Sequence, residues 1–261
     1  GLGVLLACNA LGISRCTYYY QPKLVDDSEI ITAVSKLAQK HTRYGFRKIF
    51  KRLRYMGHVW NHNRVYRLYC GLKLNLRRKG KRRLPTREPE PLTVPAQAND
   101  CWSMDFMSDS LYSGKSFRTF NVIDDYNRES LAIEIDSSLT AERIIRVLER
   151  VAEYRGYPKR LRQDNGPEFI SHKLELWAEF HGIKLDFIKP GKPTQNAFIE
   201  RFNRTYRNEV LDCYLFNSLT EVREITDSWM VEYNYDRPHE SLNDLPPKEY
   251  ERLGQGNSLN I

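Results

Sequence analysis

What these 261 residues lack narrows the field first. No stretch reaches the run of about eighteen apolar residues that a membrane-crossing helix needs, so no membrane partner is expected. The apolar opening, Gly1 to Ile13, lacks the basic flank of a signal peptide. Cysteine is scarce and unpatterned. Cys8, Cys16, Cys70, Cys101 and Cys213 make an odd set without CxxC spacing, which argues against a disulfide framework and fits a reducing cytoplasm. His58, His62 and Cys70 lack the second cysteine of the usual zinc spacing and read as surface histidines and a core thiol. No internal repeat is present. The first residue is not Met, which points to a fragment or to upstream processing or frameshifting.

Acidic residues are rare in one part of the chain only. Residues 1–95 hold 20 Lys and Arg against 5 Asp and Glu, whereas residues 96–261 hold 21 against 28. A basic part joined to an acidic part is what a nucleic-acid anchor attached to a metal-dependent catalytic core would show. A solvated basic face would show it too.

What is present suits a globular chain: 41% hydrophobic, 12% aromatic and 28% charged, long enough for one large domain or two ordinary ones. Residues 1–76 read as helical. Ile30, Val34 and Leu37 recur at helical spacing after Ser28. Phe46, Ile49, Phe50 and Leu53 repeat the pattern up to Gly57, and Val65, Leu68, Tyr69 and Leu72 do so after the caps Asn61 and Asn63. Arg64 and Arg67 fall off the last apolar stripe. Three short helices with a basic third one fit a helix-turn-helix whose last helix enters the major groove. They also fit a plain three-helix bundle with exposed arginines. Residues 77–99 form a basic, proline-rich linker: Arg77, Arg78, Lys79, Lys81, Arg82 and Arg83, then Pro85, Pro89, Pro91 and Pro95. Such a run can track a phosphate backbone or simply space two domains.

Residues 100–250 alternate. Strands are expected at 101–107, 118–123, 130–135, 159–163 and 185–188. Helices are expected after Thr140, through Ile170, Leu174 and Trp177, from near Gln195, and after the capping box Ser218 and Glu221. That order predicts an α/β domain with a mixed sheet, followed by a tail at 251–261.

Three acids stand out in it. Asp105 lies between apolar neighbours in the first strand, where a charge is costly without a partner. Asp164 lies where a short strand gives way to a turn. Glu200 lies on a helix whose polar side, at about 100° per residue, also carries Asn196, Asn203, Arg204 and Arg207. Acids so placed can converge on divalent cations through hard oxygen ligands and serve an in-line phosphoryl displacement. With 28 acids in this part of the chain, a chance triple is the competing reading. Asp124, Asp125 and Glu168 read as turn and helix-start acids.

The segments Trp102–Asp105, Arg162–Phe169 and Pro190–Asn203 resemble the core of OrfB-type insertion-sequence transposases, which share an RNase H-like catalytic fold with retroviral integrases. The family's acids follow an Asp, Asp, 35-residue gap, Glu pattern, and 35 residues separate Asp164 from Glu200. Arg207 sits seven residues after the glutamate, where the family carries Lys or Arg. Tyr233–Leu242 is similar to the family's closing segment, and Tyr44–Ile49 to its helix-turn-helix. Ala197 stands where many relatives have Gly.

The resemblance implies metal-dependent DNA cleavage and strand transfer at element ends, with no covalent enzyme intermediate. Asp105, Asp164 and Glu200 would be both catalytic residues and ligands of two Mg²⁺ or Mn²⁺ ions. DNA contacts are expected from Arg207, Arg204, Asn196, Lys192, Arg64, Arg67 and the Arg77–Arg83 run. Expected partners are element ends, target DNA, further copies of the chain and the upstream reading-frame product, in a bacterial cytoplasm at the nucleoid. A nuclease on the same fold that uses only water, or a non-catalytic DNA-binding remnant, are the alternatives.

Overall fold

The computed structural model describes residues 3–21, 26–76, 94–166, 168–188 and 196–258. At the N-terminal end, helix α1 (Val4–Leu11) stops at Gly12, whose φ of 65° suits a residue without Cβ. Ser14 then caps α2 (Arg15–Tyr19) by accepting the Thr17 N–H at 3.1 Å. The three amphipathic segments expected next form α3 (Ser28–Lys40), α4 (Phe46–Tyr55) and α5 (His62–Gly71). Asn61 caps α5 by accepting the Asn63 and Arg64 N–H groups. Their apolar stripes meet in one core that includes Ile30, Val34, Ile49, Leu53, Val65 and Tyr69.

Beyond residue 94, the described residues contain one five-stranded sheet. Strands β1 (Trp102–Ser110), β2 (Ser116–Asp124) and β3 (Ser130–Asp136) form an antiparallel meander. Strands β4 (Arg160–Gln163) and β5 (Lys184–Phe187) add parallel to β1, giving the order β3-β2-β1-β4-β5. Helices α6 (Ala141–Arg155) and α7 (His172–Phe180) cover one face, packing on Trp102, Met104, Phe120 and Val122. Helices α8 (Ala197–Tyr206) and α9 (Leu219–Tyr235) cover the other, packing on Phe117, Ile123 and Ile135. This RNase H-like mixed sheet between helices is the architecture expected. Because side chains alternate along a strand, Ser103, Asp105 and Met107 share the face that α8 covers.

Three details differ from expectation. Ile170 lies ahead of α7 and is exposed. The regular helix around Glu200 ends at Tyr206, where a π-helical turn (Arg207–Leu211) takes over. Residues 251–258 continue α10 (Pro247–Ser258) instead of forming a separate tail. Among the described residues no helix is long and apolar enough to cross a membrane.

Ion pairs join the N-terminal helices to the sheet domain. Glu209 of the π-turn takes Arg237 and Lys48; Glu232 of α9 takes Lys40 and His41; Asp236 takes Arg52; and Asp244 takes Lys51. Buried Tyr44 supports this junction, its ring stacked on His41.

A second hub explains Asp124 as a turn acid. Arg155, at the end of α6, lies 3.3 Å from Asp124, 2.8 Å from Glu129 and 3.1 Å from Glu251. It thereby ties the β2–β3 turn to α10. Removing one member of a buried ionic group leaves charge uncompensated. Arg155→Met is therefore expected to destabilise the chain by about 3–5 kcal/mol in urea unfolding at pH 7. Part of that loss should return at pH 4, as the stranded carboxylates take up protons. An unchanged unfolding midpoint at pH 7 would contradict it.

Candidate active site

Strand register brings the first two acids together. β1 and β4 are parallel with Trp102 beside Leu161 and Ser103 beside Arg162. Carried two residues further, that register sets Asp105, within β1, beside Asp164, just past the end of β4, on strands that run about 4.8 Å apart. Glu200 is exposed in the first turn of α8, which packs over β1 and β2.

Asp105 is fixed by neutral donors. One carboxylate oxygen accepts the Phe106 N–H at 2.8 Å, and the other accepts the Asn203 side-chain amide at 2.7 Å. The Asn203 carbonyl in turn accepts the amide of Asn121 at 2.7 Å. Asn121 lies directly across from Asp105 in the β1–β2 ladder and is fully buried. Two asparagines, one on β2 and one on α8, thus set the Asp105 side chain.

The other two acids act on this carboxylate as well. Burial pushes Asp105 up from 3.8 to about 6; Asp164 and Glu200 push the same way, against the Phe106 and Asn203 hydrogen bonds. The three carboxylates therefore share one field. They are not drawn around a single point: among the described residues, no three His, Cys, Asp or Glu side chains stand close enough to enclose a cation as they are. In donor chemistry the set fits a hard divalent ion, because its donor atoms are all carboxylate oxygens.

The loop that carries Asp164 is anchored from behind. Asp164 accepts the Gly166 N–H at 2.9 Å. A Cβ on Gly166 would lie 3.0 Å from that same carboxylate oxygen, so a larger residue would displace it. Glu168 pairs with Arg118, whose guanidinium sits 4.4 Å above the Phe106 ring, and buried Phe169 stacks on Phe106 at 4.9 Å. Glu168 is thus a clamp for the loop. Asp125 is likewise occupied, paired with buried Arg162 at 2.8 Å.

The residues expected to meet DNA are scattered. Arg204 is exposed on α8. Arg207 reaches back to β1, donating to Asp109 at 3.1 Å and to the Ser108 carbonyl at 2.8 Å. Asn196, expected on the polar side of α8, is buried, and its carbonyl has no hydrogen-bond partner among the described residues. Arg64 and Arg67 both pair with Asp27, and Arg64 also bonds the Asp26 carbonyl, which pins α5 to the start of α3. Lys192 and the Arg77–Arg83 run lie outside the described residues. Sequence reasoning passed over Asn121. An asparagine between Phe120 and Val122 in a buried stretch of strand was its available signal.

Comparison with known proteins places these features. Two integrase core domain models match, over residues 95–193 and 181–247, and an HTH-like domain model matches residues 25–82. The insertion element IS407 31.7 kDa protein of Burkholderia multivorans is 39% identical over 94% of this chain and 88% of its own length. The insertion element IS476 39.2 kDa protein of Xanthomonas euvesicatoria is 38% identical over 94% of this chain and 71% of its own. Among solved structures, the HTLV-2 integrase catalytic core domain in complex with magnesium is 16% identical. It covers 60% of this chain and 98% of its own, with a TM-score of 0.48.

The raised Asp105 pKa has a sign that can be tested. Its folded value exceeds the ordinary 3.8, so ionisation opposes folding. That penalty is absent below about pH 4 and complete above about pH 6. A two-unit shift corresponds to about 3 kcal/mol. Asp105→Asn removes that penalty but loses one oxygen acceptor, a loss of about 1–2 kcal/mol. In divalent-free buffer the variant is expected to be more stable than the parent by about 1–2 kcal/mol at pH 7. The advantage should vanish at pH 4. Thermal melts at both pH values check this, and a variant less stable than the parent at pH 7 refutes it.

Proposed function

As the chain belongs to the insertion-sequence transposases that join an HTH-like domain to an integrase core, we propose that it cuts and joins DNA strands at element ends. The observation that carries this is the meeting of Asp105, Asp164 and Glu200 at one place on the sheet, with Asp105 oriented by Asn203, which Asn121 braces in turn. The chemistry is in-line displacement at phosphorus. Water, or a strand's 3′-hydroxyl in joining, attacks; the P–O bond to the departing strand breaks, and that strand's oxygen leaves.

In this reading the three acids hold Mg²⁺ or Mn²⁺, two ions in all. Such ions lower the cost of forming the attacking oxyanion and of expelling the leaving one. The protein's own contribution is position. Asn203 and the Phe106 N–H fix both oxygens of Asp105, so its remaining lone pairs point one way. Gly166 and the Glu168–Arg118 clamp hold the loop of Asp164. Helix α8 carries Glu200 and Arg204, and the π-turn that follows carries Arg207; both arginines would grip flanking phosphates. For Arg207 this requires exchange of Asp109 for phosphate. The HTH-like module and the basic linker would anchor the element end. Assembly on DNA as a homo-oligomer, pairing with an upstream reading-frame product, and residence with the bacterial nucleoid in the cytoplasm belong to the same reading.

The test uses the full chain with labelled element ends and Mg²⁺, scoring nicked and joined strands separately. Asp105→Asn, Asp164→Asn and Glu200→Gln are each expected to lower both products on the order of 10³-fold while DNA affinity is kept. Paired substitutions should be little worse than single ones, because the acids act as one unit. Nicked products without joined ones would favour a water-only nuclease. A folded Asp164→Asn chain with near-normal strand transfer would remove the acids from the mechanism.

A further inference from the structure

Helices α4 and α8 and the segment after α9 enclose a cleft of about 250 Å³. Its walls carry six cations: Arg47, Lys48, Lys51, Arg128, Arg201 and Arg237. The carboxylates lining it are Glu240 and Asp244, and Asp244 is taken by Lys51. Lys48 and Arg237 share Glu209. Arg47, Arg128 and Arg201 have no ion pair among the described residues. On α8, Arg201 lies about 100° round the helix from Glu200, so the cleft and the three acids use different sides of one helix.

Three features show positive charge in the cleft that its own acids do not answer. Arg128 has a left-handed φ of 62°, its guanidinium lies 3.5 Å from the Phe198 ring centroid, and its buried Nη1 has no hydrogen-bond partner among the described residues. A buried donor left unmatched is costly, and the left-handed backbone adds strain. His239, also in the wall, is pushed well below its ordinary range by burial and then by Arg237, Lys48, Arg201 and Arg128. Four cations thus act on one neutral imidazole. Lys48 is pushed down to about 8, by burial first and then by Arg237 and Arg201, against the pull of Glu209.

We propose that this cleft is a phosphate-binding site, separate from the three acids, that takes a backbone phosphate of the DNA strand passing between the HTH-like module and the sheet domain. Arginine forks suit such a group because they bond phosphate oxygens in pairs. A cleft of about 250 Å³ has room for a phosphate group. This gives the segment Tyr233–Leu242 a task, since Arg237, Pro238 and His239 line the cleft. The phosphate chemistry follows from the cleft itself; its assignment to a DNA strand rests on the function proposed above.

The test compares the full chain with Arg47→Ala, Arg201→Ala, the double variant and a control, Lys115→Ala, which removes an exposed charge in the β1–β2 turn. Fluorescence anisotropy with an element-end duplex is run at several salt concentrations. Arg47→Ala and Arg201→Ala are each expected to weaken binding roughly five- to tenfold, and the double variant to flatten the log–log salt slope by about one. A duplex with a single neutral methylphosphonate at the contacted position should make parent and double variant equal. Thermal melts form the second arm: inorganic phosphate, against chloride at equal ionic strength, should raise the Tm of the parent and not of the double variant. Variants that match Lys115→Ala in both arms overturn the proposal. Phosphate stabilisation with unchanged DNA affinity keeps the cleft but overturns the strand as its source. A parent chain that binds no DNA yet is stabilised by phosphate supports the cleft and overturns the DNA-joining function instead.

Discussion

A carboxylate in the middle of a sheet, on the face a helix covers, must be held by something, and the choice of partner decides what it can do. Asp105 is held by an asparagine amide and a backbone N–H, which orient it and leave its charge in place. Asp124 and Asp125, at and just past the end of β2, are paired with Arg155 and Arg162. All three are pushed upward by burial, yet of the three Asp105 alone has no ion pair among the described residues, and Asp164 and Glu200 push it the same way. Fold acids and candidate site acids are thus told apart by the charge of their partners more than by depth. The consequence reaches outward: Asn203 can serve Asp105 only if α8 lies across β1 and β2, and that placement rests on the packing of Ile199, Phe202 and Tyr206.

How much of this was legible depended on how local each determinant is. The helices of the N-terminal module, the meander and the long helix after Ser218 follow from apolar period and caps, which neighbouring residues set. The capping box is present in a shifted form: Ser218 accepts the Glu221 N–H, while the Glu221 carboxylate accepts from Asn217. The positions of Asp105, Asp164 and Glu200 at strand, strand end and helix were also legible. Side-chain partners across long separations were not. Arg64 looks like a free cation in sequence because Asp27 lies 37 residues away, and Asn196 looks polar and exposed because nothing local says it is buried. Asn121 escaped notice for the same reason: its meaning comes from Asn203, 82 residues on.

The contact between the two parts of the chain is ionic at its edges and aromatic within. Lys40, Lys48, Lys51 and Arg52 face acids of the sheet domain, while Tyr44, Tyr233 and His239 fill the space between. Pairs of this kind weaken with salt, more so the more exposed they are. The asymmetry in composition, basic before residue 96 and acidic after it, therefore serves the molecule's own assembly as well as any external anion.

The π-helical turn after Tyr206 changes how residues are counted along the helical rod that begins with α8. A π-turn holds one residue more than an α-turn, which at about 100° per residue resets the angular phase of the chain beyond it. Glu200 and Asn203 keep one phase and address the sheet. Glu209 keeps another, and from there meets Lys48, Arg237 and Trp229. A single rod thereby speaks in two directions, and the switch between them is one residue of length.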